Sequence, residues 1–297
     1  MPPLRTVSGM VVSKTVIGRI SKEVENMMLG EKGAQEPKKM ILLTNDDGIE
    51  APGIKALFNV FIKDEKYDIR VVAPDKERSA VGHAITVFDP IAVKKEFIDG
   101  IFCGYSVDGT PADCVKLAIA AILERKPDIL ISGINRGANV GENIIYSGTV
   151  SAATEGTIYE IPSIAVSIDS FKDTDCSFAA AFTKKIAELV IKTKSLPPRT
   201  LLNINYPDIP AEKIKGIKFT HQSNVKFKDI FIKRVDPRGR DYYWMDGEYE
   251  VSSAGEDSDY AAIKNGYISI TPIQHDMTDY KRMDYYKNLI GLEFNLK

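Results

Sequence analysis

The chain has 297 residues, of which 44% are hydrophobic and 27% charged, with 39 Lys and Arg set against 41 Asp and Glu. That length suits one large domain or a domain with an appendage, and that mixture excludes a disordered chain and a membrane-resident one. A formal charge of −2 excludes the broad basic footprint of a nucleic-acid binder, so the expected partner is a small molecule, with neither nucleic acid nor membrane. Cys103, Cys114 and Cys176 are odd in number and lack C-x-x-C spacing, which fits a reducing, cytoplasmic setting. The N-terminus lacks the basic start, apolar run and cleavage site of a secretory signal.

Residues 1–39 read as a leader, flexible or partly helical. Val16, Ile20, Val24 and Met27 recur at helical spacing, and the polar "GEKGAQEPKK" follows as a linker. From Met40 short apolar runs alternate with segments of helical period: "MILLTN", "GIKALFNVFI", "DIRVVAP", "PADCVKLAIAAILE", "DILISGIN", "VSAATEGTIYE", "IPSIAVSI" and "FAAAFTKKIAELVIK". This rhythm predicts βαβ units, hence an α/β fold with a mostly parallel sheet, over residues 40–200. Residues 201–297 change character, to β-rich, aromatic runs such as "DYYWMDGEYEV" and "GYISITPI", and read as a smaller antiparallel extension or arm with a C-terminal tail.

In an open α/β sheet ligands sit beyond the carboxyl ends of the strands. Three strand ends carry oxygen-rich or cationic residues: Asn45, Asp46, Asp47 and Gly48 after the first run; Asp75 to Ser79 after "IRVVAP"; Asn135, Arg136, Gly137, Ala138 and Asn139 after "DILISG". Two adjacent carboxylates repel unless something positive sits beside them, and a hard divalent cation takes such oxygens. The other reading of "NDDG" is that one Asp caps the helix "PGIKALFNVF" while its neighbour faces water. Ser147, Gly148 and Thr149 stand at the mouth of a helix, where unpaired N–H groups suit a phosphate or where Ser147 is simply an N-cap. Thr110, Pro111 and Asp113 form a helix-start signature close to a capping box. Cys114 reads as core. His83 is a possible acid, base or orienter with no partner visible in sequence, and His221 and His275 lie in the β-rich part.

In this order the residues closely resemble the SurE family of stationary-phase survival proteins, which act as metal-dependent nucleotidases. The resemblance rests on "MILLTNDDGIEAPGI", "VVAPDKERSAVGHAITV", "GTPADCVKLA", "DILISGINRGANVGENIIYSGTVSAATEG" and "GYISITPI", and covers Met40 to about Ile273. It implies a Rossmann-like core, a C-terminal β-arm exchanged between subunits, and a homodimer or homotetramer. It also implies one divalent cation per subunit, Mg²⁺ or Mn²⁺, held by Asp46, Asp47, Ser79 and Asn135.

The implied reaction is hydrolysis of nucleoside 5′-monophosphates, with 3′-monophosphates and short polyphosphate as further substrates. Asp46 and Asp47 are the expected catalytic residues, and Asn135, Asn139, Ser147, Gly148 and Thr149 the expected phosphate cradle. Two alternatives stand beside this reading: a phosphatase working through an aspartyl-phosphate, and a noncatalytic nucleotide sensor. The family pattern begins near Met40, so the leader is a departure from it.

Overall fold

In strand β1 (Lys39–Thr44) Ile41, Leu42 and Leu43 are all fully buried, because the strand runs through the middle of a sheet covered on both faces. Side chains alternate, so Ile41 and Leu43 join one core and Leu42 the other. The computed structural model describes residues 37–172, 174–194, 196–250 and 255–294; most of the leader expected over residues 1–39 lies outside them.

β1 is flanked in parallel by β2 (Tyr67–Pro74) and β5 (Ile129–Arg136). Beyond β2 lie β4 (Ile101–Val107), parallel to it, and the antiparallel edge strand β3 (Val93–Ile98). Beyond β5 come β6 (Ser163–Ile168) and β7 (Thr200–Tyr206), both parallel, then β11 (Ile268–Gln274), antiparallel to β7, and β8 (Ile217–Phe219). Among the described residues the order is β3-β4-β2-β1-β5-β6-β7-β11-β8. The chain leaves β1 toward β2 and later crosses to β5 on the opposite side, which opens a crevice between the carboxyl ends of β1 and β5.

Helices α1 (Pro52–Phe61) and α5 (Ser177–Thr193) cover the face carrying Ile41, Leu43 and Ile131. Helices α2 (Pro111–Leu117) and α4 (Gly148–Ile158) cover the face carrying Leu42, Leu130 and Ala165, with the short α3 (Asn143–Tyr146) leading into α4. The start of α2 is a full capping box: Thr110 Oγ1 accepts from the Asp113 N–H at 3.1 Å, and Asp113 Oδ2 accepts from the Thr110 N–H at 2.9 Å. Cys114 on this helix is a buried core residue.

The layered core does not close at Thr200. β7 is buried on both faces and β11 and β8 extend the same sheet, so these strands belong to the core although no helix separates them. What stands apart is a hairpin of β9 (Lys226–Val235) and β10 (Asp241–Glu250), paired only with each other. Phe231, Tyr243, Trp244 and Met245 on it are exposed. The described chain is completed by α6 (Asp259–Lys264) and α7 (Met283–Phe294), and none of the described helices is long and apolar enough to cross a membrane.

Candidate active site

The chain turns sharply where β1 ends, and Asn45 locks the turn by donating its Nδ2 to the Gly48 carbonyl at 2.7 Å. α1 begins at Ala51 with no side-chain cap, so neither Asp46 nor Asp47 is used to start that helix. Backbone bonds instead tie the turn to the two neighbouring strand ends. The Arg78 N–H donates to the Asp46 carbonyl at 2.7 Å, and the Arg136 N–H donates to Asp47 Oδ2 at 3.2 Å. The loops after β1, β2 and β5 therefore converge on one crevice, and Ser79 is the residue next to the Arg78 anchor.

Asp46 faces inward, at 4% exposure, under the first turn of α4. A Cβ added at Gly148 would lie 2.8 Å from Asp46 Cβ, so only a glycine lets the helix come this close. Thr149 Oγ1 donates to Asp46 Oδ1. Ser147 is spent on its own helix, accepting from the Val150 N–H at 3.1 Å. Asp46 thus lies against the helix mouth read in the sequence as a phosphate cradle, at the end of the helix dipole that favours a carboxylate. Burial pushes the Asp46 carboxyl up to about 6; the Thr149 hydroxyl pulls it down, and the charge of Asp47 adds to the rise. Burial raises the Asp47 carboxyl too, against the bond from the Arg136 N–H.

Asn135 is held by its nitrogen end: Nδ2 donates to the Gly137 carbonyl at 2.8 Å and to the Arg136 carbonyl at 3.2 Å, which leaves the amide oxygen as its outward acceptor. Ser79 is exposed and its hydroxyl donates to Glu77 at 2.8 Å, leaving the oxygen lone pairs open. Asn139 has a different place from the one expected. It is 7% exposed, its Nδ2 donates to Ser167 at 2.9 Å, and its carbonyl takes bonds from Asn203 and Asn205, so it fastens the loop to β6 and β7.

His83 does have a partner: its Nε2 lies 2.7 Å from Glu155 Oε2, on the third turn of α4, and Lys116 of α2 donates to the other oxygen at 3.1 Å. Helical numbering gave no hint of this, because the contact joins a loop to a buried helix face 72 residues away. His275 meets Thr157 near the far end of α4 from Asp46. The cleft beside Asp47 is also lined by Asn135, Arg136, Ser170, Lys172 and Cys176. The last three follow β6, and the strand-end rule applied to "IPSIAVSI" would have found them.

Two carboxylates, an amide oxygen and a hydroxyl make an all-oxygen donor set of the kind hard divalent ions take. Among the described residues no group of three or more His, Cys, Asp and Glu is placed to hold a metal ion. The raised carboxyl of Asp46 beside a second carboxylate marks a place where positive charge is wanted.

The family model described as survival protein SurE matches residues 41–229. The chain belongs to the SurE family. It is 51% identical over 252 residues to a protein named 5′-nucleotidase SurE from Heliobacterium modesticaldum, covering 84% of this chain and 92% of that one. A second 5′-nucleotidase SurE, from Syntrophobacter fumaroxidans, is 49% identical over 244 residues, with 82% and 96% covered. Among solved structures, the SurE protein from Aquifex aeolicus superposes with a TM-score of 0.73 at 42% identity, covering 84% of this chain and 99% of that one. The crevice between β1 and β5 is therefore the candidate active site of a SurE protein, on a fold that agrees with its solved relative.

Proposed function

We propose that this SurE chain is a 5′-nucleotidase that hydrolyses nucleoside 5′-monophosphates to nucleoside and phosphate. The observation that carries the reading is the convergence of Asp46, Asp47, Asn135 and the Ser79 loop on the crevice where the strand order reverses. Asp46, Asp47, Ser79 and Asn135 would hold one hard divalent cation, Mg²⁺ or Mn²⁺. When bound, it supplies charge neutralisation and polarisation of the phosphoryl oxygens. Asp46 or Asp47 would hold the attacking water and take its proton as the water's oxygen bonds to phosphorus. The bond from phosphorus to the ribose oxygen would break as that oxygen takes the proton back from the carboxyl or from solvent water, and the nucleoside would leave as the alcohol. Arg136 and Lys172, on the cleft wall, are placed to receive the departing or bound phosphate charge.

An aspartyl-phosphate route fits less well, because that chemistry goes with D-x-D-G spacing and here the two carboxylates are adjacent. The wider substrate range, 3′-monophosphates and short polyphosphate, belongs to the same proposal. So does the assembly: the β9–β10 hairpin carries exposed aromatics on a two-stranded ribbon, and such a ribbon is marginal alone in water, which supports pairing with a second copy in a homodimer or homotetramer. Three free cysteines support a reducing, cytoplasmic setting.

The test is phosphate release from nucleoside 5′-monophosphates with Mg²⁺, Mn²⁺, Ca²⁺ or Zn²⁺, and with EDTA. Activity with an oxygen-loving cation that EDTA abolishes is expected. Nucleotide binding by calorimetry with no phosphate released under any of these ions would make the protein a sensor instead.

A further inference from the structure

Phe171 stands three residues after β6, between Ser170 and Lys172 of the cleft wall, and is 79% exposed. A single exposed aromatic is ordinary, but this one is seated. A Cβ added at Gly137 would lie 2.7 Å from Phe171 Cε1 and 3.0 Å from Cζ, so the ring rests where the backbone of the Asn135–Gly137 loop carries no side chain. Gly137 is fixed in turn: its N–H donates to the Ile168 carbonyl at 2.9 Å, and its carbonyl takes the Asn135 amide at 2.8 Å. On the other side, buried Ser170 shapes the bend, accepting from Thr174 Oγ1 at 2.9 Å while its own N–H donates to Ile168 at 2.7 Å. The ring therefore rests against the loop whose Asn135 and Arg136 line the cleft, and its own chain neighbours Ser170 and Lys172 line that cleft too.

A nucleoside monophosphate has a charged end and a flat end. Arg136 and Lys172 of this cleft serve the first, and a ring seated on the neighbouring Gly137 with most of its surface open serves the second. We infer that Phe171 is a specificity-determining residue that stacks against the nucleobase of the substrate. The inference rests on the nucleotidase reading and deepens it. Stacking tolerates any base, since each has a π-face, so the ring selects nucleotides over base-free phosphomonoesters rather than one base over another.

The test compares wild type, Phe171→Ala and Phe171→Trp on AMP, UMP and ribose 5-phosphate. Wild type is expected to show a KM for both nucleotides about tenfold below that for ribose 5-phosphate. Phe171→Ala should raise the nucleotide KM to the ribose 5-phosphate value with kcat and all ribose 5-phosphate parameters unchanged, and Phe171→Trp should restore it. A Phe171→Ala protein with unchanged nucleotide KM, or with KM raised equally for ribose 5-phosphate, overturns the inference and leaves the phosphatase reading intact. A wild type that hydrolyses none of the three overturns both. The side chain is exposed, so the alanine variant does not put folding at stake.

Discussion

The surroundings of Asp46, a ligand and catalytic residue in the proposed reaction, make a double prediction. It is a buried acid beside a second acid, so in the absence of cations its charge is a burden on the fold. Asp46→Asn keeps an acceptor for Thr149 while removing that charge. In EDTA at pH 7.5 the variant should be more stable than wild type by about 1–2 kcal/mol in urea unfolding, while its nucleotidase activity falls by roughly 10³-fold. Added Mn²⁺ should raise the melting temperature of wild type and leave the variant unmoved. The places of Asp46, Asp47 and Asn135 at strand ends were legible in the sequence because each stands at the close of an apolar run, and strand ends are where an open sheet binds. The partner of Ser147, Gly148 and Thr149 was not legible: nothing along the chain says that a helix mouth more than a hundred residues on is filled by Asp46. Asn139 misled for a related reason, since its glycine-spaced loop looks open but is fastened inward by Asn203 and Asn205.

At the scale of elements, α4 does two things at once: its first turn holds Asp46, and its third turn holds Glu155, which ties the His83 loop and α2 together. Burial alone would raise the Glu155 carboxyl, but the bonds from His83 and Lys116 outweigh it and keep the carboxyl below its ordinary range. The sign follows: an acid lowered on folding contributes stability that is fully present above its unfolded value of about 4.3 and is lost as pH falls through the folded value. Glu155→Gln should therefore lower stability by about 2 kcal/mol at pH 7, with the difference from wild type shrinking below about pH 4. Equilibrium unfolding across that range checks it, and a difference that stays constant with pH would assign the loss to packing. The capping box of α2 could be read from four residues, because every group in it is local. The membership of β7, β8 and β11 in the main sheet could not, because pairing between strands tens of residues apart leaves no local trace.

For the whole molecule, the hairpin of β9 and β10 is the part that the core does not explain. Replacing residues 227–249 by a short Gly-Ser turn removes none of the central sheet, so the described core should still fold. Light scattering should then show a smaller assembly than wild type, most clearly at high salt, where apolar contact rather than charge holds copies together. An unchanged mass would move the subunit contact elsewhere.

The filling of the α4 mouth by Asp46 carries a consequence for the sequence of events in turnover. Helix ends of this kind ordinarily beckon to phosphate, whereas here the attraction is already answered from within, and an arriving dianion meets two acids first. On the proposed reading the ion should therefore go in ahead of the nucleotide. AMP added to the EDTA-treated protein should leave its melting temperature where it was, and the same AMP after Ca²⁺ or Mn²⁺ should raise it.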